Sequence, residues 1–175
     1  MANINDFKSV LKGGGARANQ FSVTMPFPGF AAEGGETRQM SFLCKATHLP
    51  GQTIAEVPVP FRGRQLFIAG DRTFEPWTTT IMNDTDFAIR NALERWMNEI
   101  NSLSDNSGLE NPSDYMVDAF VDQLDRAGNV IKSYTFRGLF PLTIGNIDLA
   151  YDSNDAVEEF EATYRYQFFE TNTTT

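Results

Sequence analysis

Cys44 and His48 are the only cysteine and the only histidine in the chain, and a thiol four residues from an imidazole is the arrangement most suggestive of a nucleophile with its base. The surrounding residues, MSFLCKATHLPG, read as a strand that ends near the histidine. On a strand, an offset of four separates two side chains by about 13 Å along the chain. The competing assignment is a buried thiol and a turn histidine. A lone Cys and a lone His also cannot fill a typical zinc site, and a single cysteine has no intramolecular disulfide partner. A reducing compartment is the corresponding expectation.

Carboxylates offer the next chemistry. Asp118 and Asp122 share one face of a strand with Phe120 and Leu124, and paired carboxylates can transfer protons. Charges mixed into such a face also suit an edge strand that discourages unwanted pairing. Asp152-Ser153-Asn154-Asp155 opens like a calcium loop. It then places Ala156 at the fifth position and Val157 where glycine is required, and no closing glutamate follows. Gly13-Gly14-Gly15 lacks the Gly-Lys-Ser/Thr of a phosphate loop. The charged stretch AGDRTFEPWTTTIMND, Ala69 to Asp84, resolves into a turn at Gly70-Asp71-Arg72, a strand interruption at Glu75-Pro76 and a helix cap at Asp84. No catalytic residue, cofactor or metal site is expected.

The elements that must position these residues are mostly strands. A short helix is expected near Asn5, with Phe7, Val10 and Leu11 on one face, ended by the three glycines. Strands are expected over Phe21–Met25, Met40–Ala46, Arg64–Ala69, Thr73–Met82, Tyr115–Leu124 and Val130–Phe140, with residues 26–39 as a loop. Asp125 to Asn129 has hairpin-loop chemistry. The last strand alternates most clearly, with Phe160, Ala162, Tyr164, Tyr166 and Phe168 on one face and Glu159, Glu161, Thr163, Arg165 and Gln167 on the other. One long helix is expected over residues 84–103. Its stripe of Ala88, Ile89, Ala92, Leu93, Trp96, Met97, Ile100 and Leu103 repeats at helical period. Pro58 and Pro60 cannot donate ladder hydrogen bonds, so Thr53 to Phe61 must be an edge strand or an extended arm.

The chain has 175 residues, 41% of them hydrophobic, with 15 phenylalanines and a net charge of −9. That length suits one domain with an aromatic core. Acidity excludes a protein that grips nucleic-acid phosphates, which needs clustered Lys and Arg. The first residues lack the apolar core of a signal peptide, and no run has the length of a membrane span. Synthesis in the cytoplasm and no membrane insertion are the expectations.

Several stretches together resemble one family. ARANQFSV, CKATHLPG, the Val57-Pro58-Val59 region, AGDRTFEPWTTTIMND, RGLFPLTIGNIDLAYDSND and FEATY occur in the order found in the tail tube proteins of contractile-tailed, T4-like bacteriophages. They are spread over residues 16–164, most of the length of the chain. Residues 26–39 form a longer loop than in the T4 protein, and residues 172–175 extend the end.

The resemblance implies a mainly β fold of two packed antiparallel sheets, a barrel-like sandwich with the long helix outside. It implies a single tail tube domain over residues 1–175, with residues 1–15 as an N-terminal segment and residues 170–175 as a flexible tail. It further implies a structural subunit of the virion tail that forms hexameric rings stacked into a hollow tube inside the contractile sheath. Tape-measure protein would occupy the channel during assembly, and DNA would pass through it at ejection without specific binding. The other implied partners are sheath, baseplate and tail terminator proteins. The segment from Gly51 to Arg62 is the candidate inter-subunit contact arm, through Gln52, Ile54, Glu56, Val57, Val59, Phe61 and Arg62. An ordinary edge strand with prolines at its rim is the other reading of that segment. The N-terminal segment and the loop 26–39 are further candidates for contact between rings. Two alternatives share the sequence signals: the inner tube of a type VI secretion or other contractile injection system, and a monomeric β-barrel that binds an apolar ligand.

Overall fold

The computed structural model describes residues 3–174. The first two residues of the expected N-terminal segment and the last residue of the expected tail lie outside them. Four α-helices and nine strands occur among the described residues, in the order α1 (Ile4–Val10), β1 (Phe21–Thr24), α2 (Glu36–Leu43), β2 (Cys44–Thr47), β3 (Gln52–Phe61), β4 (Arg64–Phe74), β5 (Trp77–Met82), α3 (Ala88–Ile100), α4 (Pro112–Tyr115), β6 (Val117–Leu124), β7 (Val130–Ile144), β8 (Glu159–Arg165) and β9 (Phe168–Thr171). The expected short helix near Asn5 is α1, and the single long helix expected beyond it is corrected to three, α2, α3 and α4.

All pairings are antiparallel. One sheet runs β1-β6-β7-β8-β5-β2 with β9 added on β7, and a second sheet is the hairpin β3-β4. Among the described residues neither sheet closes on itself, so these residues form two antiparallel sheets in a mainly β fold and no closed barrel.

Strand β7 joins the two halves of the large sheet. Its first part lies between β6 and β9, and its last part pairs with β8. The single strand expected over residues 159–168 is interrupted at Tyr166-Gln167, yet the register continues: Phe140 lies opposite Arg165 and Arg137 opposite Phe168. The interruption faces Gly138, whose φ is +62°. That left-handed conformation is strained for residues with a Cβ. Gly138 and Arg137 together oppose Asp118, one extra residue on β7, so the ladder bulges and the strand bends there. Arg137 holds the bend with a two-sided ion pair, to Asp118 on β6 and to Glu170 on β9 at 2.7 Å.

The core fills the space between the two halves. Trp77 stacks on Phe136 at 4.6 Å and leans on Tyr164 at 5.4 Å, and Phe136 meets Tyr166 edge-on at 4.8 Å. Trp77, Phe136 and Tyr164 are fully buried. Strict alternation explains the strands that feed this layer: Trp77, Thr79 and Ile81 of β5 point inward, as do Phe160, Ala162 and Tyr164 of β8.

The long helix is shorter than the expected 84–103. It spans Ala88–Ile100 and buries Ile89, Ala92, Leu93 and Trp96, one face at helical spacing. The N-cap position is Phe87, in the left-handed conformation, and not the expected Asp84, whose carboxylate accepts the Ala88 amide from one turn earlier at 3.1 Å. Trp96 donates its indole N–H to the Tyr115 carbonyl at 2.8 Å and thereby ties α3 to α4.

Three other expectations are corrected. Met40–Leu43, read as the start of a strand, belongs to α2, and only Cys44–Thr47 is strand. The apparent alternation Met40, Phe42, Cys44 misled, because the fold buries Met40 and Cys44 and leaves Phe42 71% exposed. Glu36 starts this helix by accepting the amides of Glu33 and Gly34 at 2.7 and 2.9 Å. Gly70-Asp71-Arg72 is not a turn: β4 runs through it, with a bulge where Ile54 pairs with Arg72 and Glu56 with Ala69. Finally, Glu170 and Thr171, assigned to a flexible tail, are ladder residues of β9 opposite Thr135 and Tyr134.

Candidate assembly surface

The arm residues singled out in the sequence lie on a hairpin that projects from the large sheet. Gln52, Ile54, Glu56, Val57, Val59 and Phe61 are on β3, and Arg62 opens its tip. Each strand of the hairpin has ten or eleven residues, a reach of roughly 33 Å. The tip is two residues long, Arg62 and Gly63, with φ of +45° and +80°, the mirror-image turn whose twist matches the flanking strands. The Arg62 guanidinium lies 5.3 Å over the Phe61 ring.

Residues directly opposite each other in an antiparallel pair share a face. Val57 pairs with Ile68, Val59 with Leu66 and Phe61 with Arg64, so five large apolar side chains share one face. All five are exposed, Phe61 to 67% and Leu66 to 61%. A strand pair that folded only for its own sake would not leave such a face in water, because contiguous apolar surface marks contact with something else. Gly70 permits this packing: a Cβ there would lie 3.2 Å from Val57 and 3.1 Å from the Ala55 carbonyl.

The two edges of the hairpin differ. Prolines are tolerated in a ladder where the missing N–H would point away from the partner strand. Pro58 and Pro60, two apart on β3, therefore blunt its outer edge, whereas β4 carries no proline and keeps a complete row of donors and acceptors. At the root, Phe74 packs on Tyr166 at 5.9 Å and Phe169 at 5.4 Å, and its carbonyl accepts from Arg165 at 3.2 Å. The hairpin is thus anchored in the core at one end and free along its length.

Both strands of this unit are expected from the sequence, but the candidate contact residues come from the first alone. Leu66 and Ile68 lie opposite Val59 and Val57, a pairing that follows only once the two strands are joined as a hairpin. The signal available was Phe61-Arg62-Gly63-Arg64, a two-residue connection with glycine second, between two apolar runs.

The residues considered for chemistry have other occupations. Cys44 is buried with its thiol toward the Ala46 carbonyl, and burial pushes the thiol up to about 12. It is protonated at neutral pH and is no nucleophile. His48 is exposed, and its carbonyl accepts the Trp77 indole N–H at 3.1 Å. Asp118 is consumed by the β7 bend, since it also accepts the Gly138 amide at 3.1 Å. β6 lies between β1 and β7, so the edge-strand explanation for Asp118 and Asp122 does not hold. Among the described residues no group of three or more His, Cys, Asp or Glu could hold a metal ion. No helix among them is long and apolar enough to cross a membrane.

A family model described as phage tail tube protein matches residues 16–172. The chain is 33% identical to the tail tube protein of Serratia phage KSP90 over 168 residues, covering 95% of each. It is 34% identical to tail tube protein gp19 of Enterobacteria phage T4 over 160 residues, covering 89% of this chain and 91% of that one. Among solved structures, a chain of the sheath–tube complex of an extracellular contractile injection system in its extended state superposes with a TM-score of 0.58 at 13% identity, covering 94% and 96% of the two chains. A chain of the tube-terminating cap of the anti-feeding prophage gives a TM-score of 0.63 at 15% identity, covering 90% of each. At those identities the likeness is one of fold.

Proposed function

Because this chain belongs to the phage tail tube protein family and is a structural component of the virion tail, we propose that its subunits close into hexameric rings that stack into a hollow tube inside a contractile sheath. The observation that carries the reading is the apolar face of the β3-β4 hairpin, exposed in the single chain and long enough to cross onto a neighbouring subunit. In this proposal Gln52, Ile54, Glu56, Val57, Val59, Phe61 and Arg62 contact that neighbour, and Leu66 and Ile68 contribute from β4. Burying five half-exposed apolar side chains contributes on the order of 5 kcal/mol per hairpin.

The open sheet supports ring closure. Its end strands β1 and β2 present edges, and closure around a ring is the arrangement that removes them, giving a continuous barrel around a channel. Head-to-tail contacts between identical subunits generate such rings, and contacts between rings that do not close generate a filament. A net charge of −9 lets DNA slide through the channel instead of binding it. The sheath, the baseplate and the terminator are the proposed protein neighbours, by analogy with the assemblies that contain the similar chains. Tape-measure protein fills the channel before DNA does.

Negative-stain electron microscopy with light scattering tests the reading. The wild-type protein is expected to form rings with a central hole or hollow tubes. A Val57→Ser/Val59→Ser/Leu66→Ser/Ile68→Ser variant, with its circular dichroism unchanged, is expected to remain dispersed at the same concentration. Assembly by that variant as efficient as wild type would refute the role given to the hairpin.

A further inference from the structure

The two ends of β7 carry opposite charge. At its start, the N-terminal segment and the β6-β7 loop enclose a cleft of about 420 Å³ lined by Lys12, Arg17 and Arg126. None of the three cations has an ion-pair partner among the described residues, and all three are exposed. The acidic member of the cleft, Asp125, is turned into its own loop, where it accepts the amides of Ala127 and Asn129 and the Asn129 side chain. The floor is apolar, from Leu124 and Ile131.

At the other end of β7, residues 145–158 form an irregular excursion before β8. Residues 145–161 hold Asp148, Asp152, Asp155, Glu158, Glu159 and Glu161 and no lysine or arginine. Asp152 and Asp155 are exposed and have no ion-pair partner among the described residues. Beside them Leu149 is 80% exposed and Tyr151 fully exposed. An apolar tip within a rim of carboxylates matches an apolar floor within a rim of cations. A long structureless loop in a compact chain usually marks function.

We propose that the 148–158 loop of one copy seats in the Lys12–Arg17–Arg126 cleft of a second copy, so that one ring docks on the next. The inference rests on the tube reading above and assigns the stacking contact within it. The two surfaces sit at opposite ends of a 15-residue strand, about 45 Å of contour. The contact is therefore heterologous: each copy presents one surface and accepts the other, and the series does not close. Charged rims also make stacking sensitive to salt, because added salt shortens the Debye length, about 8 Å at physiological ionic strength, beyond which exposed charges are largely screened.

Charge reversal in both directions tests the pairing. Arg17→Glu/Arg126→Glu and Asp152→Lys/Asp155→Lys are purified separately, checked for unchanged circular dichroism and melting, and assayed for tubes by sedimentation and electron microscopy. Each variant alone is expected to form rings but to lose at least tenfold in sedimentable tube. An equimolar mixture is expected to recover tubes, because each altered surface then meets the other. Tubes formed by either variant alone as readily as by wild type, or no recovery on mixing, would overturn the pairing. Wild-type rings that never stack would overturn it too, while leaving the ring reading standing. A wild-type protein that forms no rings would instead sink the tube reading on which the pairing rests.

Discussion

Replacing Gly138 by alanine probes the bend of β7 in a way that separates two causes. The first is conformational. At φ +62° a residue with a Cβ costs about 1–2 kcal/mol, of which about 0.5–1 is offset because alanine also restricts the unfolded chain. The second is steric. The new Cβ would lie 2.9 Å from the Gln167 Cγ and 3.4 Å from the Met116 sulfur. Gln167 is a flexible side chain that can yield, so this part is about 1 kcal/mol, the low end of overpacking costs. Together Gly138→Ala is expected to destabilise by about 2 kcal/mol, a fall of about 5 °C in melting temperature for a chain of this length. In a Gln167→Ala background the steric part vanishes and about 1 kcal/mol remains, a coupling near 1 kcal/mol in the double-mutant cycle. Urea unfolding followed by tryptophan fluorescence measures all four proteins, below the concentration at which they assemble, since assembly would add its own stabilisation. A cost under about 0.5 kcal/mol for Gly138→Ala would show that the bend does not need the left-handed conformation. Complete rescue by Gln167→Ala would show that only crowding mattered.

Two further predictions concern the core and its acid response. Trp77→Leu removes the ring that stacks on Phe136 and leaves the His48 carbonyl without its donor. It is expected to cost about 3–5 kcal/mol in urea unfolding, and a loss under about 1 kcal/mol would mean the two halves of the sheet do not depend on it. For Glu36, burial raises the carboxyl, but the amides of Glu33 and Gly34 and the nearby Arg95 outweigh it and leave the group below its ordinary value of 4.5. A depressed carboxyl stabilises above its unfolded pKa and loses that contribution as pH falls through the folded one. Glu36→Gln is therefore expected to cost about 1–3 kcal/mol at neutral pH, and the gap to wild type should shrink as pH drops below about 4.5. A gap that stayed constant on acidification would refute the assignment.

Local rules made much of this chain readable before any coordinates. The helix around Trp96 follows from its apolar stripe, because a period of 3.6 leaves one face to bury wherever the partner lies. Strands β5, β6 and β8 follow from alternation, the β6-β7 loop from Asp125 to Asn129, and the chain stop after α1 from three glycines with positive φ. The absence of an anchored zinc or phosphate motif is likewise a property of spacing alone. What membership of the tail tube family adds, through long matched stretches, is the assembly itself, which no local rule contains.

Tertiary structure decided the rest, and the reason is the same in each case. Met40 and Cys44, four apart, fit either period and Phe42 fits only the strand, yet α2 forms because Glu36 accepts the Glu33 and Gly34 amides at its start and Met40 is buried against the core. Gly70-Asp71-Arg72 has turn composition, yet β3 stands alongside as a partner that absorbs the extra residue in a bulge. Residues 159–168 have one alternating pattern, yet the bend at Gly138 divides it between β8 and β9 and leaves Phe168, expected on the apolar face, 47% exposed. A sequence specifies which residues prefer to be buried and which conformations are cheap. Which surface is available to bury them, and where the chain must bend to reach it, depends on residues far away in the sequence and is settled only when the whole sheet is in place.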